Sequence, residues 1–161
     1  IPQAKSNGQY INFPIWPESR YLVRAAPDKP KKVMDIIKGC SLSKDSNPRV
    51  LEDFIEAAVN MPTSIAAKIV DKVEKENWIE SPYHLALPIK LNDLLAKLLE
   101  SKEYKDAVKL TSNLLKVRLK RIPAESGDIF SNEEVEGYIE DYDYGRILET
   151  ILKIPDCDVQ V

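Results

Sequence analysis

Apolar residues recur along most of this chain at intervals of three and four, the spacing that gathers one face of an α-helix. Val50, Leu51, Phe54, Ile55, Ala58 and Val59 form one such stripe, with Glu52, Asp53 and Glu56 assigned to the outer side. Asn47 followed by Pro48 suits the start of that helix. The Asn side chain can accept a first-turn amide, and proline lacks only a donor that would be unpaired there. The same period predicts a helix from Pro17 to Pro27, with Tyr21, Leu22, Ala25 and Ala26 on one face. A second runs over about Asp28 to Lys38, with Val33, Met34, Ile36 and Ile37 inward, and Gly39 is expected to stop it in a left-handed cap. After Met61-Pro62, Thr63 or Ser64 is expected to cap a fourth helix carrying Ile65, Ala66, Ile69, Val70 and Val73. Leu87, Leu91, Leu94, Leu95, Leu98 and Leu99 mark a fifth, with Pro88 in its first turn. Tyr104, Ala107, Val108, Leu110, Leu114 and Leu115 mark a sixth over about Lys102 to Leu119. No period of two is sustained, so strands are not expected.

The flanks read differently. Residues 1–16 lack helical period, Asn7-Gly8 signals a turn, and Pro14 breaks a short apolar patch of Ile11, Phe13, Ile15 and Trp16. An extended lead-in docked on the first helix is expected there. Residues 120–143 read as an acidic loop, because Pro123, Ser126 and Gly127 interrupt helix while Glu125, Asp128, Glu133, Glu134, Glu136, Glu140, Asp141 and Asp143 supply charge. Within it, Ser131-Asn132-Glu133-Glu134 fits a capping box and predicts a short helix. A last helix over about Tyr144 to Lys153 places Ile147, Leu148, Ile151 and Leu152 inward. The expected organisation is a lead-in at 1–16, helices over 17–119, the acidic loop at 120–143, and a final helix with the C-terminal stretch over 144–161.

The helices repeat. Pro48, Leu51, Asp53, Phe54, Ile55, Ala58 and Val59 match Pro88, Leu91, Asp93, Leu94, Leu95, Leu98 and Leu99 at an offset of 40 residues. Ala66, Ala67, Lys68, Ile69 and Val73 match Ala107, Val108, Lys109, Leu110 and Leu114 at an offset of 41. Lys32, Val33, Met34, Asp35 and Ile37 precede Lys68, Ile69, Val70, Asp71 and Val73 by 36. One short helix pair cannot cover its own apolar face, whereas stacked pairs bury a continuous one. The expected fold is therefore all-α, built of stacked antiparallel helix pairs. Over roughly Pro17 to Leu119 this pattern resembles the HEAT and armadillo α-solenoids. The period favours HEAT over tetratricopeptide repeats, whose Trp-Leu-Gly-Tyr pattern is absent. A plain helical bundle of similar helix lengths is the alternative. The resemblance implies a scaffold that binds proteins, although fold alone fixes no function. The C-terminal Asp156-Cys157-Asp158-Val159-Gln160-Val161 echoes Asp45-Ser46-Asn47-Pro48-Arg49-Val50, so the chain is expected to be a piece of a longer protein.

Composition narrows the function classes. With 161 residues, 43% hydrophobic and 30% charged, the chain can bury a core. It has five glycines and neither GxGxxG nor GxxxxGK[ST], which disfavours nucleotide sites of those kinds. A net charge of -3 argues against a strongly basic nucleic-acid binder. No apolar run approaches a membrane span, and IPQAKSNGQY has no signal-peptide pattern. Cys40 and Cys157 stand far apart without a CxxC partner, which fits thiols in a reducing, cytoplasmic setting. With His84 the one histidine, a Cys/His zinc site has few candidate ligands.

No catalytic, cofactor-binding or metal-binding residue is assigned, and His84 reads as a loop-edge residue at a helix start. The acidic stretch lacks the EF-hand spacing that calcium needs. Candidate partner-binding residues are Glu133, Glu134, Glu136, Tyr138, Glu140 and Tyr142, where amphipathic aromatics interleave with acid. Lys116, Arg118, Lys120 and Arg121 are a candidate anion-binding cluster, or the surface onto which the acidic stretch folds back. Trp16 and Trp78 are expected in the core. The expected function is a non-enzymatic protein-interaction module whose partner is another protein or another domain of its parent chain. The alternatives are a regulatory region of a larger enzyme or nucleotide-driven machine, then a nucleic-acid-binding repeat, with an enzyme last.

Overall fold

The computed structural model describes residues 1–3, 5, 6, 8–81, 83, 86–121, 133–137, 139 and 141–152. A short hairpin, β1 (Lys5–Ser6) with β2 (Ile11–Asn12), opens the chain around Gly8, whose φ of 86° suits a residue without Cβ. Then come α1 (Pro17–Ala25), α2 (Pro30–Gly39), α3 (Pro48–Val59), α4 (Thr63–Ala66), a 3₁₀ turn over Ala67–Ile69 and α5 (Val70–Lys75). A second 3₁₀ turn, Trp78–Glu80, leads to α6 (Leu87–Glu100) and α7 (Tyr104–Leu114). A hairpin of β3 (Val117–Arg121) and β4 (Glu133–Gly137) precedes α8 (Asp141–Ile151). The fold is all-α, with strands confined to the two hairpins among the described residues.

The helices form two layers. In the first, α1 packs on α3, α3 on α6 and α6 on α8; in the second, α2 packs on α4 and α5 on α7. Buried positions recur at matching offsets along this order. Ser19, Leu22, Val23 and Ala26 of the first helical segment are buried, as are Leu51, Phe54, Ile55 and Ala58 at positions 32 later, and Leu91, Leu94, Leu95 and Leu98 a further 40 on. Val33, Met34 and Ile37 of α2 correspond to buried Ile69, Val70 and Val73, and Leu110 and Leu114 continue the series. Trp78 is fully buried, its ring 6.5 Å from Phe54, which lies 6.4 Å from Trp16. Burying each such side chain stabilises by about 1.5–3 kcal/mol before chain ordering is counted.

Polar links run between successive pairs as well. Lys72 donates to the Cys40 carbonyl at 2.6 Å, at the end of α2, and Lys97 donates to the Val59 carbonyl at 2.7 Å, at the end of α3. Each ammonium satisfies a carbonyl that the helix leaves unpaired, at its negative end.

Several local expectations hold and others change. Pro17, Pro30, Pro48 and Pro88 all lie in first turns, and Asn47 caps α3 by accepting from the Arg49 amide at 3.1 Å. The lead-in is held at the start of α3 and at the turn before α6: Asn47 donates to the Pro14 carbonyl at 2.7 Å, and Phe13 meets Tyr83 with ring centroids 5.0 Å apart. Gly39 is not a left-handed cap, because it ends α2 with ordinary negative φ and Cys40 follows in extended conformation. The left-handed stops are Asn77 (φ 51°) and Lys102 (φ 61°). Thr63 does not cap α4; its hydroxyl instead lies 2.9 Å from that of Ser101. Asp53, expected outside, is buried, while Ile36, Val108 and Leu148, expected inside, are roughly half exposed.

The largest correction concerns residues 102–143. The sixth helix stops at Leu114, and Val117-Arg118-Leu119-Lys120-Arg121 is a strand rather than its last turns. Glu133 and Glu134 belong to strand β4 rather than to the expected short helix, Ser131 and Asn132 of the expected capping box lie outside the described residues, and α8 begins at Asp141. Five alternating residues are too few to give a sustained period of two, and β-branched Val117 at the end of α7 favours extended backbone over helix.

Candidate functional site

Three consecutive first-layer helices and the lead-in share one charged groove. Ser19 and Arg20 stand on α1, Arg49, Glu52, Asp53 and Glu56 on α3, and Lys90 on α6. Asp53 anchors the inner end. The Ser19 hydroxyl lies 2.5 Å from Asp53 Oδ2 and 2.8 Å from the Trp16 carbonyl. With one proton it donates to one acceptor at a time, and the short carboxylate contact has the length of a charge-assisted bond. Arg20 Nη1 donates to Asp53 Oδ1 at 2.8 Å and to Glu56 Oε2 at 3.4 Å, and these two carboxylates raise the guanidinium's proton affinity, Asp53 more.

The remaining acids are held by α6 and its lead-in turn. Lys90 donates to Glu56, and that bond keeps the Glu56 carboxyl below its ordinary range. Glu52 accepts the Ala86 amide at 2.7 Å. Burial pushes the Glu52 carboxyl upward, and the amide bond only partly offsets it. Ile15, Arg20, Arg49, Glu52, Asp53 and Lys90 together line a cavity of about 290 Å³. Such a lining can receive a small charged group. Ser19 and Asp53 form a hydroxyl–carboxylate pair at its inner end, and no cluster of three His, Cys, Asp or Glu suited to a metal occurs among the described residues. No helix among the described residues is long and apolar enough to cross a membrane.

The residues singled out in the sequence lie elsewhere. The β3–β4 register sets Arg118 opposite Glu136, Lys120 opposite Glu134 and Arg121 opposite Glu133. Within the acidic stretch, Glu133–Gly137 thus pairs with the strand that carries Arg118, Lys120 and Arg121. Lys116 precedes β3, and its carbonyl accepts from the Tyr144 hydroxyl at 3.2 Å. Tyr142 is 76% exposed near the start of α8. Tyr138, Glu140, His84 and Cys157 lie outside the described residues, as do Glu125 and Asp128. Cys40 is a half-buried free thiol.

Helical periodicity did not single out the groove. Periodicity assigns its acids to a solvated face, because a carboxylate on the edge of an apolar stripe reads as exposed. A usable signal was present: shifting α1 by 32 positions puts Ser19 and Arg20 beside the α3 stripe, within reach of Asp53. Set against known proteins, the chain matches no family model, no curated protein and no solved structure.

Proposed function

We propose that this chain is a helical-repeat scaffold of the HEAT or armadillo kind, which acts by binding a protein partner and performs no catalysis itself. The observation that carries the reading is the row of equivalent buried positions running through α1, α3 and α6, with the second-layer helices repeating alongside. An array of that kind grows by adding units and displays a long side-chain surface, which suits recognition of another chain. The charge distribution favours protein over nucleic acid as the partner. The most basic strand, β3, faces acidic β4 in register, and the cations of the groove alternate with carboxylates. A partner within the same parent chain would use the same surfaces.

Site-specific photo-cross-linking in the longest natural form of the protein tests this reading. A photoreactive residue would replace Glu18 in the first layer, Lys68 in the second, or Tyr142 on α8. One defined protein, or one defined segment of the parent, cross-linked saturably from one of these positions is the expected result. Cross-links at none of the three would overturn the reading.

A further inference from the structure

We infer that the groove between the lead-in, α1, α3 and α6 is a docking site for a carboxylate side chain of an acidic peptide. The inference rests on the scaffold reading and adds the chemistry of its partner. Each acid in the groove already has its donors: Asp53 has Ser19 and Arg20, Glu56 has Lys90 and Arg20, and Glu52 has the Ala86 amide. The cations are less fully used. Arg49 lines the same cavity, is exposed, and makes no ion pair among the described residues. Its planar fork matches a carboxylate with two parallel bonds, while Lys90 on the neighbouring helix stays paired with Glu56.

Size and charge select the ligand. A cavity of about 290 Å³ holds a side chain rather than a large cofactor. Ile15, 67% exposed, offers its apolar surface to the methylenes of a Glu side chain. Glu52 and the buried Asp53 line the inner part of the same space and repel any anion, so a carboxylate is drawn to exposed Arg49 at the rim. The groove crosses helices of successive pairs and is open to solvent, which leaves room for the peptide backbone to continue past the anchored side chain.

Fluorescence anisotropy with a labelled Gly-Glu-Glu-Glu-Glu-Gly peptide at low salt tests the assignment against the same peptide carrying Gln. The Glu peptide is expected to bind at least about tenfold more tightly, the gap that one charge-assisted contact supports. R49Q is expected to remove about that factor, because a charge-assisted bond is lost. E52Q keeps the acceptor for Ala86 and should strengthen binding by relieving repulsion, so the test has a gain as well as a loss. K68Q, in the second layer, should leave affinity unchanged. Equal binding of the two peptides, indifference to R49Q, or equal weakening by K68Q would each overturn the inference. Full competition by free glutarate at equimolar carboxylate would assign the site to a small acid and also overturn it. Peptide failure with the first-layer cross-link at Glu18 intact would remove this inference alone, whereas peptide binding with no cross-link at any position would remove the scaffold reading.

Discussion

The α3 unit and the α6 unit are built on the same apolar grid and diverge at its polar edge. Leu51, Phe54, Ile55 and Ala58 are fully buried, and so are Leu91, Leu94, Leu95 and Leu98 at the matching positions. Asp53 and Asp93 also match, yet Asp53 is buried and Asp93 is exposed. The preceding helix explains the difference. Asp53 meets Ser19 and Arg20 of α1, whereas the corresponding positions on α3 are Leu51 and Glu52, which offer an apolar wall and a like charge. An apolar position is set by the repeat, because any neighbouring hydrophobe satisfies it. A polar position is set by one partner, because an unpaired buried carboxylate costs too much.

That contrast can be broken or sharpened by mutation. The largest effect is expected at the shared grid. F54A and L94A should each lower unfolding free energy by about 3–5 and 2–5 kcal/mol in urea titrations, because both vacate fully buried sites. A near-neutral result at either would separate the two units. Next comes the polar edge. D53A should cost about 1–3 kcal/mol because it removes the charge-assisted bonds that the carboxylate accepts from Ser19 and Arg20, while D93A should stay within about 0.5 kcal/mol. Equal costs would contradict the partner argument. N47A should cost about 1 kcal/mol, since it removes the cap of α3 as well as the tie to Pro14.

The smallest effects concern pH. Glu56 has a depressed pKa, so its stabilisation is present above the ordinary carboxylate range and is lost as pH falls through the folded value. Glu52 has a raised pKa, so its charge destabilises the fold at neutral pH and that burden fades as pH falls through its folded value. E56Q is thus expected to lower the melting temperature at pH 7 and E52Q to raise it slightly, with both differences from wild type shrinking in acid. Opposite signs at pH 7 would reverse the electrostatic assignment of the groove.

How much the sequence reveals follows the same division. The apolar stripes of α3 and α6 are legible because six hydrophobic positions in a dozen residues leave one helical solution. The Asn47-Pro48 start is legible because its chemistry is local. Asp53 is not legible by periodicity, since its burial depends on Arg20, which is remote in sequence and brought near by packing. The β3–β4 hairpin is missed for a related reason. Val117, Leu119 and Val135 alternate with charge, but each run is short, and pairing across the intervening residues is a long-range contact. Val108 and Leu148 read as inward because they are apolar, yet their outward positions leave them exposed; an exposed single hydrophobe is common.

The central claim is that α1, α3 and α6 form a row rather than a closed bundle. Spin labels at Tyr21 and Asp93, the matching exposed positions of α1 and α6, would measure it by pulsed electron resonance in a protein with both cysteines replaced by Ser. Two helix steps of about 8–10 Å each predict a backbone separation of roughly 16–20 Å. A separation of about one step, roughly 10 Å, would place α1 directly against α6 and contradict the stacked array.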